Sequence, residues 1–106
     1  MEKYIQIPTA DDFVISGVLN SKGQTDKLII FVHGLTGSSS EAHYFCGQKY
    51  FTEIGYDVFR FRFYHTYENT RNLHETSIQE HGQDIQTIIN HFEDEYKEII
   101  LVTHSL

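Results

Sequence analysis

Ile99-Ile100-Leu101-Val102-Thr103-His104-Ser105-Leu106 is a run of branched apolar residues that delivers a serine. A short β-branched run that turns through a small residue, any residue and a serine has the form of a nucleophile elbow. In such an elbow the chain leaves a buried strand by a sharp turn and enters a helix, so the serine oxygen stands exposed above a sheet. On this reading the upstream residues build the sheet that holds Ser105. The helix expected after the turn, and any acid and base beyond it, lie outside the 106 residues.

Working outward, residues 93–97 form a polar connection, preceded by the clearest helical pattern in the chain. Its apolar stripe runs Ile78, Ile85, Ile88, Ile89, Phe92, and Thr76 with Gln79 and Ser77 with Glu80 both offer capping boxes for its start. Residues 65–73 are polar and aromatic without a period and read as a loop. Residues 56–64 read as a strand with Phe59, Phe61 and Phe63 on one face and Val58, Arg60 and Arg62 on the other. An arginine facing into a covered sheet needs partners, so Arg62 is placed at or beyond the strand end.

Further upstream, Leu28-Ile29-Ile30-Phe31-Val32 is apolar without alternation, as suits a strand covered on both faces in the middle of a parallel sheet. It is followed by His33-Gly34-Leu35-Thr36-Gly37-Ser38-Ser39-Ser40, a loop of small residues whose glycines open backbone conformations closed to others. Ser38 with Glu41 is a capping box, so a helix is expected from there to Gly55, a left-handed cap, with Tyr44, Phe45, Phe51 and Ile54 on its buried side. Residues 4–7 and 13–19 alternate and read as the strands of an antiparallel hairpin turning through 8–12, and 20–26 form a loop. The order is hairpin, strand, helix, strand, helix, strand. That alternation predicts an α/β sheet with parallel strands at its centre, and residues 1–106 form one incomplete domain.

Composition narrows the function. Apolar residues at 40% and charged residues at 22% are those of a globular chain, and the longest apolar runs are far too short to span a bilayer. No membrane partner is expected. The first residues, Met1-Glu2-Lys3-Tyr4, lead into alternating instead of continuous apolar residues, so a cytoplasmic location is expected. A net charge of −7 and eight scattered Lys and Arg residues oppose nucleic acid as a partner. Cys46 is the sole cysteine, fits a reducing compartment and reads as a packing residue. Seven histidines, at 33, 43, 65, 74, 81, 91 and 104, include no i, i+4 pair and no ligand spacing with cysteine or carboxylate, so no metal and no cofactor is expected.

With His33-Gly34 after one central strand and Thr103-His104-Ser105 after another, the sequence resembles the α/β-hydrolase family over essentially its whole length, as the family's first five strands and first two helices. The resemblance implies that Ser105 is a nucleophile attacking an acyl carbon and that the backbone N–H groups of Leu35 and Leu106 form the oxyanion hole. Loss of one such donor typically costs about 3 kcal/mol of barrier. It also implies that His33, Gly34 and His104 shape the loop and the elbow, and that the triad acid follows the serine. Asp84 is accordingly read as a solvated or helix-end carboxylate. Two departures stand out: Thr103 occupies the place where the family usually has glycine, and Phe63-Tyr64-His65-Thr66-Tyr67 replaces an Arg-Gly-His-Gly loop.

His33-Gly34-Leu35-Thr36-Gly37, with Glu41 and His43, further resembles the loop of small carboxylesterases, including feruloyl and cinnamoyl esterases and monoacylglycerol-lipase-like enzymes. A serine nucleophile argues against the dehalogenase and epoxide-hydrolase branches, which need a carboxylate. The expected activity is hydrolysis of a small-molecule carboxylic ester by an acyl-enzyme route, with the acid and histidine supplied from outside residues 1–106. These residues are expected to be a fragment, a truncated gene product or the first part of a longer chain, inactive alone, and their oligomeric state is left open. The alternatives are a non-catalytic α/β-hydrolase-like binding module and an unrelated doubly wound nucleotide-binding domain. The latter lacks both the Gly-x-Gly-x-x-Gly fingerprint and a Walker loop.

Overall fold

The computed structural model describes residues 2–33, 42–61 and 78–103, with the side chains of 42–45 and 78 left aside. Five strands and two helices follow one another as β1 (Glu2–Pro8), β2 (Val14–Asn20), β3 (Lys27–Val32), α1 (Ala42–Glu53), β4 (Asp57–Phe61), α2 (Ile78–Phe92) and β5 (Glu98–Thr103). They form one sheet in the order β1-β2-β4-β3-β5. β1 and β2 are the antiparallel hairpin read from the sequence, β2 also runs antiparallel to β4, and β3 pairs parallel with both β4 and β5.

The hairpin turns because Thr9 binds Phe13 twice: its N–H donates to the Phe13 carbonyl at 2.8 Å, and its Oγ1 accepts from the Phe13 N–H at 2.9 Å. Asp12 takes the left-handed conformation at φ 70°, which a short polar side chain tolerates. Pro8 is accommodated since β1 is an edge strand. Midway along the hairpin, opposite Ile5, Gly17 lies under the ring of Phe59, where a Cβ would stand 2.3 Å from Cζ.

The unbroken apolar run of β3 is explained by its two buried faces. Leu28, Ile30 and Val32 join Ile7, Ile15, Phe59, Phe61 and the α2 residues Ile88 and Phe92 in the larger core. Ile29 and Phe31 join Val58 on the other face, where Phe51 of α1 and Tyr56 pack. The α2 stripe matches the sequence reading for Ile85, Ile88, Ile89 and Phe92. α1 stops at a Schellman motif: Tyr56 N–H donates to the Phe51 carbonyl at 3.0 Å and Gly55 N–H to that of Thr52 at 3.3 Å. Gly55 sits at φ 101°, the left-handed cap expected of it.

Three expectations are corrected. Ile54 is 53% exposed instead of buried, because α1 ends at Glu53 and Ile54 falls in the turn beyond its stripe. Cys46 is exposed and free; the neighbouring Gly47 takes the sheet-facing position against the Phe31 ring, which turns Cys46 away from the core. Asp84 is buried, since it lies one turn before Ile88 on the inward face of α2. The two capping boxes of α2, the Ser38 and Glu41 box of α1, and residues 62–64 lie outside the described residues.

Candidate functional site

In an open α/β sheet, ligands bind beyond the carboxyl ends of the parallel strands, where the loops meet. Here those ends are Val32, Phe61 and Thr103. The registers run Phe31 to Arg60 and Val32 to Thr103, so β3 is flanked by β4 and β5 and all three strands run the same way. The chain leaves β3 at His33 and β5 after Thr103 from adjacent, paired positions. The residues that follow, from 34 and from 104, therefore continue from neighbouring strand ends on one side of the sheet.

Of the six site residues named from the sequence, His33 is described. It is 1% exposed and its ring lies 6.3 Å from that of Phe61, tilted by 48°, which packs it against the end of the neighbouring strand. Gly34, Leu35, His104, Ser105 and Leu106 lie outside the described residues, as do Arg62 and residues 63–67. Thr103, in place of glycine, completes β5 as the partner of Val32.

A polar cluster that the sequence reading raised in part reaches from Arg60 back to the open end of the hairpin, where Asn20 pairs with Val58 and Glu2 with Asn20. Arg60 faces into the sheet at 4% exposure and donates from Nη2 to Asn20 Oδ1 at 3.3 Å, with Glu2 Oε2 3.8 Å away. Burial pulls the guanidinium below its ordinary pKa, and the Glu2 carboxylate opposes that shift. The alternation in 56–64 showed that Arg60 needs partners; that they come from β1 and β2 follows from pairings no local pattern reveals. A second buried polar pair, Asp57 and Tyr96, had no sequence signal. Among the described residues no cluster of three or more His, Cys, Asp or Glu could hold a metal ion, and no helix is long and apolar enough to cross a membrane.

No protein-family model matches the chain, and no curated protein matches it. Solved structures do. Est1E from Butyrivibrio proteoclasticus with ferulic acid bound superposes at a TM-score of 0.84 with 21% identity, covering 95% of this chain and 42% of that one. The Pyrococcus furiosus esterase Pf2001 gives 0.81 with 23% identity over 97% of this chain and 40% of its own. An α/β serine hydrolase homologue from Coxiella burnetii gives 0.78 with 15% identity over 97% and 51%. The chain thus spans about two-fifths to half the length of these structures. At these identities the likeness is one of fold, and it agrees with the mixed sheet and its strand order.

Proposed function

We propose that this chain, which carries the α/β-hydrolase fold, is the nucleophile-bearing part of a serine hydrolase that cleaves small-molecule carboxylic esters. The observation that supports this most directly is the parallel pairing of Val32 with Thr103, the positions from which the chain continues into His33-Gly34-Leu35 and into His104-Ser105-Leu106. A nucleophile and the donors that bind its oxyanion must flank one acyl carbon, and a start from neighbouring strand ends favours that arrangement. That Est1E was solved with ferulic acid and Pf2001 is an esterase favours an ester substrate.

In the proposed reaction Ser105 Oγ attacks the acyl carbon, its proton passing to a histidine contributed from outside residues 1–106. The tetrahedral oxyanion accepts from the N–H groups of Leu35 and Leu106. Collapse breaks the ester bond, the histidine returns the proton to the departing alcohol, and water then hydrolyses the acyl-enzyme by the same steps. Residues 1–106 alone hold the nucleophile without its base and are inactive in this scheme. The test is fluorophosphonate labelling of the longer protein in which residues 1–106 are continued, beside its Ser105→Ala variant. Labelling of the parent and none of the variant is expected; equal labelling removes Ser105 as the nucleophile.

A further inference from the structure

We draw no further inference here: the strongest candidate, the edge strand β5 with Ile100 and Leu101 exposed on opposite faces of the sheet, carries none, because nothing in the structure shows what covers it.

Discussion

The Tyr96 hydroxyl donates a 2.5 Å hydrogen bond to Asp57 Oδ2, joining the turn after α2 to the first residue of β4 across 39 positions of sequence. Both residues are buried, and the Tyr96 ring also packs edge-on to Phe92, 5.9 Å away. Tyr96→Phe keeps that packing and removes the donor, leaving both Asp57 oxygens without one. A cost of about 2 kcal/mol in denaturant unfolding is expected. Burial, reinforced by the bond to Asp57, raises the phenol well above its ordinary pKa. The folded state thus holds the proton more tightly than the unfolded one. Stability from this group is complete below about pH 10, where an unfolded tyrosine titrates, and declines as pH rises above it. The gap between wild type and Tyr96→Phe is therefore expected to be constant at neutral pH and to narrow above pH 10; a gap that widens there contradicts the assignment.

Gly17 reports on how closely β2 and β4 are packed. A Cβ there would meet Phe59 Cζ at 2.3 Å and the Arg60 carbonyl oxygen at 2.7 Å. Phe59 cannot swing clear, because its ring lies 6.0 Å from Phe61 and 5.0 Å from Phe92. Gly17→Ala is expected to cost about 2–3 kcal/mol, with the midpoint of urea unfolding falling at unchanged slope. Adding Phe59→Leu to Gly17→Ala should then cost less than the sum of the two single changes, since one relieves the clash the other creates.

Around Arg60 burial decides which partner matters. Asn20 is buried and takes a direct hydrogen bond, whereas the Glu2 side chain is 48% exposed and 3.8 Å distant. Glu2→Gln is expected to change stability by less than about 1 kcal/mol, and by less again in high salt. Asn20→Ala strips an acceptor from a buried guanidinium and should cost about 2 kcal/mol with little salt dependence. Equal costs for the two variants in thermal and urea unfolding would reverse that ranking.

The legible part of this molecule is what a local pattern can carry. Period two in β1 and β2, period 3.6 in α2 and the two-faced apolar run of β3 each reflect which faces are buried, and Gly55 marks a φ that other residues resist. Cys46, Ile54 and Asp84 were misread because their exposure turns on a single step around a helix or one residue of helix length, which composition does not resolve. The Asp57–Tyr96 pair was invisible for a different reason. Both residues occur within ordinary polar or boundary stretches, and the bond between them exists once β4 and β5 flank β3. The candidate site divides similarly. Its residue types follow from sequence, while the adjacency of the two loop origins needs the parallel register of Val32 and Thr103.

That register also sets the last expectation, for β5. Ile100 pairs with Ile29 and Leu101 with Ile30, so the two point to opposite faces of the sheet, and each remains well exposed while its β3 partner is buried. β5 is an edge strand with apolar residues open on both faces, the arrangement that soluble proteins ordinarily cover or charge. The chain of residues 1–106 is therefore expected to self-associate in a concentration-dependent way, measured by light scattering across about a tenfold dilution series. Ile100→Lys and Leu101→Lys, one on each face, should each shift the distribution toward monomer, and the double variant further. If association instead persists in the double variant, it runs through another surface, and the exposed Tyr50 and Ile54 at the end of α1 become the places to substitute next.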